Sequence, residues 1–161
     1  VSAADYYGQP ELQRLKELLV DPKEAPYHQT IASLVGLLSD GSDADATALI
    51  DYVALNAQTN PGATSAAVIS LGNISENGNE RALTFLIDES LNASSLIRNS
   101  AVVALGIAGT PRALEHLLSL HTDAVVPLDS APTVHAAEEA TGTAGPLPSR
   151  IELATFRSIV G

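Results

Sequence analysis

A glycine that returns at a nearly constant interval constrains this chain more than any other feature. Ser33-Leu34-Val35-Gly36, Ile69-Ser70-Leu71-Gly72, Val103-Ala104-Leu105-Gly106 and Glu139-Ala140-Thr141-Gly142 align on their last residue, at spacings of 36, 34 and 36 residues. The residues around each glycine repeat as well. Five positions before it stand Ile31, Ala67, Ala101 and Ala137; one before, Val35, Leu71, Leu105 and Thr141; two after, Leu38, Ile74, Ala108 and Ala144. Each set is one apolar stripe at helical spacing. A period of this length marks stacked helix pairs, each too small to bury its own apolar face alone.

The clearest copy is Leu96 to Leu120. Its first helix, around Ile97 to Ala108, places Ala101, Leu105 and Ala108 on one side. Gly109-Thr110-Pro111 ends that helix and starts the next, with Thr110 as cap and Pro111 in the first helical position, where a missing N–H costs nothing. The second helix is expected to turn Leu114, Leu117 and Leu118 inward. In the other copies Leu49 and Leu83 take the place of Leu114, followed by Tyr52-Val53 and Leu86-Ile87. Polar turns bearing glycine separate the helices, as in Asp40-Gly41-Ser42 and Asn77-Gly78-Asn79.

The expected fold is therefore all-α: an α–α superhelix of about four helix pairs preceded by one helix. The repeats fall at 26–58, 62–92, 95–121 and 131–160, and the opening helix at 10–20, in a single domain over 1–161. The opening helix carries Leu12, Leu15, Leu18 and Leu19 inward and is similar to the second helix of a pair. The last unit is the weakest, since Thr141 replaces an aliphatic residue and Glu138 stands where Ala32, Val68 and Val102 do. Terminal repeats are commonly atypical because they face solvent.

Composition narrows the function classes. The chain has 161 residues with a formal net charge of −11 and only 4% aromatic residues, so its core must be built from Ala, Leu, Ile and Val. An acidic chain is a poor fit to nucleic acid or an anionic membrane surface, both of which attract basic faces. Cysteine is absent, which removes disulfides, thiolate catalysis and thiolate metal sites. The stretch Tyr52 to Ser75 carries no charge, but Asn60-Pro61-Gly62 in its middle makes it a helix–turn–helix rather than a membrane span. The lack of Cys and Met, the scarcity of lysine and a start at Val1 fit a processed export product slightly better than a cytoplasmic one, and fit equally a piece of a longer chain.

The run Ile97-Arg98, Ala101, Ala104-Leu105-Gly106 and Pro111, followed by a leucine-rich helix, resembles HEAT-like repeats of the phycobilisome-lyase type. The position eight before the glycine is Arg98 in that unit and His28, Thr64 and Val134 in the others. What the resemblance implies is a solenoid that holds other proteins, its second helices lining the concave side. It implies no reaction. Deoxyhypusine hydroxylase, built on such repeats, holds iron through adjacent His-Glu pairs, and this chain has no such dipeptide. His135-Ala136-Ala137-Glu138-Glu139 offers at most two ligands where a divalent site needs three or more. Bilin lyases share the repeat, but an aromatic, basic tetrapyrrole groove is not evident. Neither a serine nucleophile elbow nor a phosphate-binding loop is present.

No catalytic residue, metal ligand or cofactor is assigned. The function expected is a protein–protein interaction scaffold; the alternative is an accessory or lyase-like subunit that binds a small ligand or assists an enzyme. On the helical wheel Arg81, Phe85 and Asp88 lie opposite the inward residues of their helix, and the repeat offsets add Thr47 and Asp51 before them and Arg112 and His116 after. These seven residues form the candidate binding ladder for a protein partner. Phe85 is its candidate anchor, because aromatic residues dominate interface energetics.

Overall fold

The structure is a computed structural model that describes residues 3–124. Seven α-helices follow one another, and among the described residues there is no strand. They are α1 (Ala3–Leu19), α2 (His28–Leu38), α3 (Asp43–Asn56), α4 (Pro61–Glu76), α5 (Glu80–Glu89), α6 (Ser95–Ala108) and α7 (Pro111–Ala124), with a 3₁₀ turn at Pro22–Tyr27. The all-α repeat expected from the glycine period is what the chain builds. Helix α1 starts earlier than its leucines suggest and runs through Pro10. The fourth repeat, expected over 131–160 and including Gly142 and His135, lies outside the described residues.

The helix ends follow local chemistry. Ser42, Asn79 and Thr110 each accept a hydrogen bond from the backbone N–H three residues on, those of Asp45, Ala82 and Ala113. Asn60 does the same for Ala63 ahead of Pro61 at the first position of α4. These caps satisfy N–H groups that the helix itself leaves open. Gly109 closes α6 at φ 58°, a left-handed conformation that costs a residue with a Cβ far more than it costs glycine.

First helices α2, α4 and α6 stack face to face, with α4 in the middle, and the second helices α3 and α5 pack under the first helix that follows each of them. The recurring glycine explains the close approach of the first helices. A Cβ built on Gly72 would stand 2.6 Å from the Ala104 carbonyl oxygen, and one on Gly36 would overlap Ser70, 2.8 Å from its Cα. Ser70 and Ala104 each stand two residues before the next glycine, so the repeat is a rule of contact: each glycine receives the small residue two places ahead of its successor. The core of this stack is Val35, Leu49, Val68, Leu71, Ile74, Leu86 and Leu105, all fully buried. Each contributes roughly 1.5–3 kcal/mol on leaving water.

Three expected core positions prove exposed. Leu38 is 42% exposed although Ile74 and Ala108, its equivalents, are buried. Leu34, in the place of Ser70 and Ala104, is exposed as well. No first helix precedes α2 among the described residues, so nothing covers that flank. In α7 the buried residue is Ala113, with Leu117 half-buried, whereas Leu114 is 47% and Leu118 67% exposed. Leu83 of α5 is closed off because α6 and α7 pack beyond it, but no described residue follows α7.

Polar side chains tie neighbouring repeats. Asn79 Nδ2 donates to the Gly41 carbonyl at 2.9 Å and to Asp43 Oδ1 at 2.8 Å while its Oδ1 caps α5. Asn77 donates to the Ser39 carbonyl and Asn60 to the Ala25 carbonyl. Lys16 of α1 reaches Asp45 of α3 at 2.8 Å, and Ser39 donates to the other oxygen of that buried carboxylate. Neither Asp45 nor Lys16 stands out in the sequence, since a partner 29 residues away leaves no local trace.

Candidate functional site

The candidate surface is the row of second helices. Within the helix pairs α2 to α7 it carries nearly all the charge: Asp43, Asp45 and Asp51 on α3, Glu80, Asp88 and Glu89 on α5, and Glu115 and Asp123 on α7, against Arg81 and Arg112. The first helices carry only Glu76 and Arg98. The division follows from the stacking, because helices that meet at glycine and alanine leave no room for solvated side chains, whereas the second helices stand further apart.

Counting from the N-cap of each second helix gives the true register of this row. Arg81 and Arg112 both stand two residues past their caps, and Phe85 and His116 six past theirs. Asp51 stands nine past Ser42, as Asp88 does past Asn79. The leucine alignment had set Asp51 beside Phe85 and Thr47 beside Arg81, one helical turn off for α3. Leu49 therefore matches Leu86 and Leu117, not Leu83 and Leu114. The slip lies in the α3 to α5 step alone, where the caps Ser42 and Asn79 stand 37 residues apart and the leucines Leu49 and Leu83 only 34; from α5 to α7 both markers give 31.

The structure brings Arg81, Phe85 and Asp88 together. With Glu80, Thr84 and Ile50 of α3 they line an open groove of about 520 Å³. Phe85 is half-buried and packs against the core along its lower edge. Arg81 and Asp88 are exposed on either side of it. Arg112 is exposed and reaches back to Glu80 at 3.0 Å, a solvent-screened pair of the kind that adds about 0–1 kcal/mol. His116 is half-buried. Its Nε2 lies 2.7 Å from Ser90 Oγ, whose hydroxyl donates to the Ile87 carbonyl at 2.7 Å, so His116 is the donor to Ser90. That imidazole closes the end of α5. Thr47 is half-buried outside the groove, and Asp51 lies on the other flank of α3.

The position eight before the glycine has a shared task that its mixed chemistry conceals. Arg98 Nη1 donates to the carbonyls of Asn92 and Ala93, just past the end of α5. His28 Nε2 lies 3.2 and 3.0 Å from the carbonyls of Leu18 and Asp21, just past the body of α1. Carbonyls only accept, so that nitrogen carries a proton, and Nδ1 is hydrogen-bonded with the Tyr52 hydroxyl at 3.0 Å. Both side chains satisfy backbone groups left open where the preceding second helix ends. Thr64, the equivalent in α4, is too short, and its buried hydroxyl has no partner. Burial raises the Tyr52 phenol above its ordinary value of 10.0, with the Asn60 side chain opposing the shift. Among the described residues no three His, Asp or Glu side chains gather as a metal would require, and no helix is long and apolar enough to cross a membrane.

A family model described as the PBS lyase HEAT-like repeat matches residues 97–120, the stretch from the first full turn of α6 to near the end of α7. Residues 97–120 are thus a HEAT-like repeat, and the all-α architecture of the described residues is consistent with a superhelix of such units. The match covers the unit whose caps, left-handed glycine and buried Ala101 and Leu105 follow the repeat most closely. Neither a curated protein nor a solved structure matches the chain. A HEAT-like domain suggests a repeat scaffold or a lyase-like subunit, and HEAT-like repeats commonly mediate protein interaction.

Proposed function

We propose that this HEAT-like protein is an interaction scaffold whose row of second helices receives a protein partner. The observation that carries the reading is the groove between α3 and α5, where Ile50 and the half-buried ring of Phe85 stand between Arg81 and Asp88. An apolar anchor rimmed by charges of both signs is the arrangement that gives a protein interface its energy at the centre and its orientation at the edge.

Phe85→Ala tests it. Its ring lies only partly in the core, so the substitution is expected to cost about 1–2 kcal/mol of stability, below the 2–5 kcal/mol of a fully buried leucine truncation. Partner affinity, measured by titration calorimetry on the complex recovered from the native source, is expected to fall by about 2 kcal/mol. If Phe85→Ala binds that partner as the parent does, the groove is not the interface. A stoichiometric metal or chromophore on the purified protein would favour the ligand-holding subunit instead.

A further inference from the structure

A second cleft opens on the opposite flank of α3, and of the ladder residues only Asp51 lines it. It has a volume of about 400 Å³ and lies between the end of α1, the 3₁₀ turn and α3. Its walls are apolar, from Leu19, Val20, Pro22 and Leu55. Val20 is 76% and Leu55 78% exposed, so two large aliphatic side chains flank the opening. Much of the polar floor is engaged: His28 and Tyr52 bond each other, Asn60 donates to the Ala25 carbonyl, and Asn56 donates to the Tyr52 carbonyl. Asp51 is the one carboxylate in the lining, and no ion pair or hydrogen bond reaches it among the described residues.

We propose that this cleft binds a cationic, aliphatic segment of the partner protein, seating a lysine or arginine stem between Val20 and Leu55 with its head on Asp51. Three observations converge on that chemistry. An unpaired carboxylate at the edge of an apolar slot matches a side chain with an aliphatic stem and a cationic head. The His28, Tyr52 and Asn60 side chains of the floor are already bonded within the chain, which leaves Asp51 as the charged group a ligand meets in the lining. The second-helix row is acidic, so it draws basic chains toward the cleft. The proposal rests on the reading that this row is the interaction surface, and it names the partner's chemistry there.

The test is NMR titration of the full chain with two probes, acetyl-Leu-Arg-Leu-Leu-amide and its glutamate counterpart acetyl-Leu-Glu-Leu-Leu-amide. The arginine peptide is expected to shift the amide signals of Val20, Asp51 and Leu55, and the glutamate peptide is not. Asp51→Asn and Leu55→Ser, both at exposed positions, are expected to keep the parent spectrum elsewhere while weakening the arginine peptide at least tenfold, and added salt should weaken it in the parent. Equal shifts from both peptides, shifts confined to other sites, no shift at all, or unchanged binding by Asp51→Asn would each overturn the proposal. Phe85→Ala should leave this titration unaltered. A partner lost through Phe85 but bound normally by Asp51→Asn would sink the cleft and leave the scaffold standing, whereas peptide binding at the cleft without any dependence of the partner on Phe85 would do the reverse.

Discussion

Gly72 and Gly106 occupy the same place in successive repeats, yet their surroundings make opposite demands. A Cβ on Gly72 runs into the Ala104 backbone, while one on Gly106 meets nothing within 4 Å among the described residues. Gly72→Ala is expected to cost roughly 1–3 kcal/mol, since a backbone neighbour cannot step aside as a flexible side chain can. Gly106→Ala is expected to stabilise by up to about 1 kcal/mol through helix propensity. Urea denaturation of the two variants checks both signs together. Tyr52 gives a residue-scale prediction in pH. Burial raises its phenol above 10.0, so the unfolded chain loses that proton first. The contribution is then fully present below the unfolded value and lost as pH rises through the folded one. Chemical denaturation between about pH 9 and about pH 11 should show stability falling in the parent and a flatter profile in Tyr52→Phe.

At the scale of the element, the second helices show how far periodicity carries. Apolar spacing reads α3, α5 and α7 as helices and names leucines for their inner faces, but a leucine is inside only if another element lies across it. Leu86 is fully buried between neighbours, while Leu118 is 67% exposed on the last described helix. Leu86→Ala is expected to cost 2–5 kcal/mol and Leu118→Gln to change stability by no more than about 0.5 kcal/mol. Thermal denaturation of the pair decides whether the inner face of the last described helix takes in Leu118, as apolar spacing has it, or leaves it outside, as the packing has it. The caps are the better guide because each fixes a helix start within three residues, whereas an offset taken from the glycine passes through a turn of variable length.

For the whole molecule, cooperation between repeats depends on groups such as Asn79, which caps its own helix and donates to Gly41 and Asp43 of the preceding repeat. Asn79→Ala removes a cap and two inter-repeat hydrogen bonds, and is expected to cost about 2–3 kcal/mol. Hydrogen exchange should quicken at Ser42 to Ala46 as well as in α5, because stability in a solenoid is shared between neighbours. Exchange confined to α5 would mean that the repeats open independently. The sequence by itself determined the helical class, the repeat period, the turns and the Thr110 cap, and it placed Arg81, Phe85 and Asp88 on one face. All of these are set by residues within a turn or two of one another, where 3.6-residue periodicity and capping act. Only the tertiary structure decided that Leu38, Leu114 and Leu118 are exposed, that Asp45 is buried with Lys16, that His116 is engaged by Ser90, and that Asp51 faces a different cleft from Phe85. Each of those outcomes depends on which surface lies across the side chain, and that surface comes from residues distant in the chain.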